Sequence, residues 1–110
     1  MTEVPFEEWK KLDLRIVEIL SVEDHPNADK LYVLKVDLGT EKRTVVAGIK
    51  NYYPKEKLIG KKVVVFTNLQ PAVLRGIKSE GMILAADDRD ADAIALLQPE
   101  KDIKNGAIIR

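Results

Sequence analysis

Leu12-Asp13-Leu14-Arg15-Ile16-Val17-Glu18-Ile19-Leu20-Ser21-Val22 is the stretch that decides the fold. Its apolar and polar residues alternate as in a half-buried strand, but the alternation slips phase at Ile16-Val17 and again at Ile19-Leu20. Successive strand residues point to opposite faces, so each slip moves the buried set to the other face. Such a strand is bent or bulged, and a bent strand can serve both sides of a small closed barrel.

Working outward, the next segment is His25-Pro26-Asn27-Ala28-Asp29-Lys30-Leu31-Tyr32, which holds the only histidine. Pro26 fixes its own φ and keeps His25 out of the helical region, while Asn27 and Asp29 can bond nearby backbone amides. The segment therefore reads as a defined turn leading into a second strand, Leu31 to Leu38, with Tyr32, Leu34, Val36 and Leu38 on one face. Gly39-Thr40-Glu41-Lys42 turns the chain into Arg43 to Ala47, which completes a hairpin. Residues 48–58 contain Pro54 and no clear period, and read as a loop with one helical turn around Lys50 to Tyr53.

Lys61 to Thr67 is a fourth strand, apolar on both faces and therefore central. Asn68 to Ser79 reads as a polar connection, Met82 to Ala86 as a fifth strand, and Ile94 to Leu97 and Ala107 to Ile109 as further short strands. At the other end, Pro5 precedes Phe6-Glu7-Glu8-Trp9-Lys10-Lys11, a short helix with acids early and lysines late. Phe6 and Trp9 share one helical face and are expected to cover one end of the core.

The expected architecture is all-β: a five-stranded barrel of the OB type over residues 12–86, in one domain of residues 1–110. The apolar residues after Ala86 exceed what a finished barrel needs, which places part of residues 87–110 in a subunit interface.

Composition narrows the function. The chain has no cysteine, which excludes disulfides, thiolate metal sites and cysteine nucleophiles, and its single histidine leaves Ser21 or Ser79 without a convincing catalytic base. His25 with Asp24 and Asp29 lacks the spacing of a zinc site, and Asp87 to Asp92 lacks the central glycine and bidentate glutamate of a calcium loop. No cofactor, metal or enzymatic activity is expected. No apolar run approaches the roughly 20 residues that span a bilayer, and residues 1–5 do not read as a signal peptide, so a cytoplasmic location without membrane partners is expected.

Formal net charge is zero, yet the charges are segregated. Residues 1–29 carry three basic and eight acidic side chains, residues 30–79 eleven and three, and residues 80–110 four and seven. A middle segment at +8 between acidic ends can form a local phosphate-attracting face despite the neutral total.

His25 to Tyr32, preceded by Leu12 to Val17 and followed by Asn68-Leu69-Gln70-Pro71, Leu74-Arg75-Gly76 and Ser79 to Ala86, resembles the tRNA-binding OB domain attached to methionyl-tRNA synthetases. The domain also occurs as a free-standing dimer and in the endothelial-monocyte-activating-polypeptide proteins. A chain of this extent looks most like the free-standing form, an independent dimer or a β subunit that works with the synthetase catalytic subunit. The resemblance implies that Asn27, Asp29, Lys30, Arg43, Arg75, Lys78, Ser79, Glu80 and Met82 line one tRNA-binding face. Lys30, Arg43, Arg75 and Lys78 would meet phosphates; Asn27, Ser79 and Glu80 would bond sugar or base edges. Met82 would supply either apolar contact or core packing. Secretion chaperones of the CsaA type look similar in length and core and bind unfolded peptide, but they lack the full first motif and the Ser79-Glu80-Gly81-Met82 motif.

Overall fold

The structure is a computed structural model describing residues 1–110. A single-turn helix α1 (Phe6–Trp9) leads into the long strand β1 (Leu14–Asp24), followed by β2 (Tyr32–Asp37) and β3 (Lys42–Ala47). After a 3₁₀ turn at Lys55–Lys57 come β4 (Lys62–Phe66), β5 (Ala72–Leu74), β6 (Ile77–Ser79), β7 (Met82–Ile83), β8 (Ala85–Asp88) and β9 (Ala93–Leu96). The main sheet has the order β3-β2-β1-β4-β7, antiparallel throughout, and curls into a nearly closed five-stranded barrel of the OB type.

Both phase slips of β1 have a structural counterpart. Register with β2 shifts between Ile19 and Ser21, which leaves Leu20 as the bulge residue. At the earlier slip pairing with β4 stays regular, and adjacent residues instead face two different cores. Val17, Ile19 and Val22 belong to the main cluster inside the barrel, with Leu34, Val36, Val45, Val63 and Val65. Leu14 and Ile16 join Val64 in a smaller cluster on the outer side, covered by Trp9, Phe66, Leu84, Ala107 and Ile109. The Val63-Val64-Val65 run is thus apolar on both faces because β4 is covered on both.

Three expectations change. Met82 to Ala86 is not one strand: β7 pairs with β4 for two residues, then the chain leaves the barrel and β8 pairs with β9. The connection from Asn68 to Ser79 contains the β5–β6 hairpin, whose three-residue strands are too short for alternation to register. Phe6 does not cover the core; Trp9 packs against the outer cluster, and Phe6 stands 67% exposed.

Part of the apolar surplus after Ala86 is used within the chain. Leu96 lies in the main core with Ile94 against it, and Ile109 in the outer cluster, whereas Leu97, Ile103 and Ile108 remain exposed. The last residues run along β1: the Ile16 amide donates to the Ala107 carbonyl, and the Gly106 and Ile109 amides to the Ile16 and Leu14 carbonyls.

Two staples secure this end of the barrel. Thr67 donates its hydroxyl to Asp13, and Asn68 accepts from the Asp13 amide while donating to the Lys11 carbonyl. The Thr67 hydroxyl, followed by Arg15, outweighs partial burial and holds the Asp13 carboxyl below its usual range. The second staple is backbone against backbone: a Cβ on Gly106 would lie 2.2 Å from the Leu38 carbonyl oxygen, and one on Gly39 2.6 Å from the Asn105 carbonyl oxygen.

Gly106→Ala should therefore cost at least about 2–3 kcal/mol, combining left-handed strain with a backbone clash. Gly76→Ala, where φ is +91° with nothing within 4 Å of the added Cβ, should cost about 1–2 kcal/mol. Urea denaturation of the two variants measures the difference; equal losses would show that the close packing at Gly106 relaxes freely.

Candidate nucleic-acid interface

The side chains that could meet a nucleic acid are set by the loop between β1 and β2. His25 is 5% exposed and both ring nitrogens are engaged. The Asn27 amide donates to Nδ1 at 3.0 Å, so Nδ1 carries no proton; Nε2 then donates to the Leu74 carbonyl at 2.9 Å. The ring shapes its own loop from one side and anchors the β5–β6 hairpin from the other. It links two motifs about fifty residues apart, and Asn27, Asp29 and Lys30 are left exposed on the loop it braces.

In the β5–β6 hairpin, Leu74 pairs with Ile77, and the two intervening residues, Arg75 (φ +51°) and Gly76 (φ +91°), both adopt the left-handed conformation. That is the type I′ turn favoured in tight hairpins, and it projects Arg75 from the tip. Lys78 is exposed on β6, opposite the equally exposed Val73.

Ser79 and Glu80 have a different placement. Ser79 is 5% exposed; its hydroxyl accepts from the Val46 amide and donates to the Gly81 carbonyl, both at 2.9 Å. The Glu80 amide donates to the Thr44 carbonyl at 2.8 Å, and Glu80 Oε1 accepts from the Thr44 amide at 3.1 Å. The outer edge of β3 is thus tied to the strand before β7 largely through two side chains, and the barrel closes there. Gly81 makes the approach possible: a Cβ would sit 2.9 Å from Val65 Cγ1 and 3.1 Å from the Phe66 carbonyl oxygen.

Arg43 is also committed, donating to the Thr67 and Glu80 carbonyls and pairing with Glu41 at 3.2 Å. Arg43, Thr67, Glu80 and Lys78 line an open cleft of about 390 Å³ with Asn68 and Gln70. Met82 is 44% exposed and borders a small apolar recess with Leu74 and Leu69.

Asn27, Asp29, Lys30, Arg75, Lys78 and Met82 are thus each exposed, while Ser79, Glu80 and Arg43 are engaged in the seam between β3 and the segment before β7. A further group beside it was not singled out from sequence: Lys50 and Lys55 both bind the carboxylate of Asp24, at 3.2 and 3.1 Å. Lys55 first, then Lys50, lowers the Asp24 pKa. The excess of lysine in residues 30–79 was the available signal, but it does not say which lysines meet. No three His, Asp or Glu side chains come together as a metal site would need, and no helix is long and apolar enough to cross a membrane.

Residues 14–108 match the tRNA binding domain family. The chain belongs to that family. It is 57% identical over 110 residues to a methionine–tRNA ligase of Pyrococcus furiosus, a match that takes in the whole chain and 15% of the relative. The chain thus spans about 15% of the length of the curated relatives it matches. Among solved structures, the tRNA-binding domain described here resembles the MetRS related protein from Pyrococcus horikoshii, with a TM-score of 0.93 at 31% identity and all of both chains covered. It also resembles the chaperone CsaA from Bacillus anthracis, with a TM-score of 0.87 at 32% identity, over 99% of this chain and all of the other.

The placement of Ser79 makes it separable from residues that only touch a ligand. Ser79→Ala would strand the buried Val46 amide in this tRNA-binding domain and should cost about 1–3 kcal/mol. A shift in the urea midpoint without added RNA measures this; unchanged stability would leave the hydroxyl no bracing role.

Proposed function

We propose that the chain binds tRNA through the surface formed by the His25–Tyr32 loop and the β5–β6 hairpin. Family membership supports this, but the observation that carries it is the His25 bridge. One buried ring fixes both motifs relative to each other, so Lys30 and Arg75 are presented from one preformed unit. Lys30, Arg75 and Lys78 meet phosphates, Asn27 and Asp29 reach sugar or base edges, and Met82 gives apolar contact. Arg43, Ser79 and Glu80 belong to the same site as its support, with the Arg43 guanidinium at the cleft floor.

The chain is a binding module without catalytic function. The core of residues 12–86, into which Leu96 also packs, carries an extension of residues 87–110 that works in a cytoplasmic homodimer, alone or with a synthetase catalytic subunit. Phe6, Trp9, Leu12, Ile108 and Ile109 line an apolar groove of about 470 Å³, with Phe6 and Ile108 each more than half exposed. Such a patch on a small domain suits a second copy. The dimer contact on this reading combines α1 with the last residues, a wider surface than the tail alone.

The resemblance to CsaA supports a second reading, capture of unfolded peptide. A titration at several salt concentrations against unfractionated tRNA and a permanently unfolded protein separates the two. tRNA affinity should fall steeply with salt, and Lys30→Ala or Arg75→Ala should each weaken binding and flatten the log–log slope by about one unit. A salt-independent affinity, or tighter binding of the unfolded protein, would overturn the tRNA reading. For the dimer, sedimentation should give two copies for the wild type and one for Phe6→Glu/Ile108→Asp; a monomeric wild type would remove the proposed interface.

A further inference from the structure

Five lysines lie between the end of β3 and the first residue of β4: Lys50, Lys55, Lys57, Lys61 and Lys62. Lys62 is held by Asp102 and the Ile103 carbonyl, and Lys61 lies over the Tyr53 ring. Lys50 and Lys55 instead converge on the two carboxylate oxygens of Asp24. Asp24 is the last residue of β1, directly before His25, and pairs in register with Tyr32. On the lysine side, Gly48 packs beside Leu31. The lysine pair therefore flanks the base of the loop that carries Lys30, held by the residue directly before the His25 that anchors the Arg75 hairpin.

Two ammonium groups on one carboxylate leave the cluster with one net positive charge. Its members are open to water, with side-chain exposures of 34%, 41% and 51% for Lys50, Lys55 and Asp24. Ion pairs so exposed are weak and easily exchanged. An incoming phosphate presents the same kind of acceptor oxygens and carries its own counterions to release.

We infer that Lys50 and Lys55 form a second phosphate-binding point continuous with Lys30, and that Asp24 tempers it by competing with the phosphate for both ammonium groups. This inference rests on the tRNA reading above. It extends the phosphate track from the hairpin tip, across the loop, to the connection between β3 and β4. It also gives Asp24 a sign opposite to that of every other residue of the site: the wild-type carboxylate lowers affinity.

The test is a filter-binding titration of the full chain against unfractionated tRNA at about 50–200 mM salt, where phosphate contacts dominate the change. Asp24→Asn keeps the side-chain shape, removes the competing charge and should tighten binding. Asp90→Asn removes the same charge in the acidic loop between β8 and β9, where no lysine pairs with it, and should change affinity less. Lys50→Ala/Lys55→Ala should weaken binding and flatten the log–log slope by about two units, one per lysine. Across a fourfold change in salt, each unit is worth roughly a three- to fourfold change in affinity.

Thermal melts of each variant separate loss of fold from loss of binding, and Asp24→Asn decides alone if the double variant melts early. Equal effects of Asp24→Asn and Asp90→Asn, or an unchanged slope in the folded double variant, would overturn the inference while Lys30→Ala still weakens binding. A wild type with no salt-dependent tRNA affinity would instead bring down the tRNA reading, and this inference with it.

Discussion

The barrel depends on how its open edge is closed. β3 is the edge strand of the main sheet, and β7, at the other edge, is only two residues long. A full backbone ladder between them would need a longer strand. Instead Ser79 and Glu80 lend side-chain oxygens to the Val46 and Thr44 amides. Both amides lie in strand residues at least half removed from solvent, where an unpaired donor is costly. The identity of these residues follows: a hydroxyl that accepts and donates at once, a carboxylate long enough to reach a neighbouring amide, and a glycine that lets the chain pass Val65.

Closure in turn orders the proposed binding surface. Arg43 caps the same seam through two carbonyls, and the hairpin that leads into Ser79 is pinned at its far end by His25. The strand edge, the hairpin and the loop are therefore one mechanical unit. A surface held in this way suits recognition of a rigid shape, because little side-chain and loop freedom is lost on docking. Acidic segments before and after the basic middle keep the total charge at zero, so the positive field of the middle segment is local.

Much of this was legible in the residues, for identifiable reasons. The double phase slip of β1 predicted a bent strand facing two ways, since side-chain alternation is a strict geometric rule and any breach has a structural cause. The Val63-Val64-Val65 run was legible as central on the same ground. The β5–β6 hairpin was not, because three residues are too few for alternation to show, although Arg75-Gly76 is a fair turn signal. Phe6 was misplaced because helical spacing says which residues share a face, not which of them finds a partner.

Among the candidate site residues, exposure of Asn27, Lys30 and Arg75 follows from loop and turn chemistry. The bracing roles of Ser79 and Glu80 depend on contacts some thirty-five residues distant, which no local pattern encodes. His25 was read as setting its loop, and it does; its second bond, to Leu74, links two segments far apart in sequence and is visible only once the fold is known.

The path of the last residues has a consequence for solubility. The N-terminal half of β1 pairs with β4 on one side, while β2 reaches it only from Glu18 onward. Left bare, the opposite side would show unpaired amides and carbonyls from Leu14 to Ile16, a template for strand addition by another molecule. Residues 106–109 occupy that template with three backbone hydrogen bonds, and the glycine packing at Gly39 and Gly106 keeps them seated. The tail is therefore a guard against aggregation as well as an extension, and a chain lacking it would expose an unpaired edge of its own first strand.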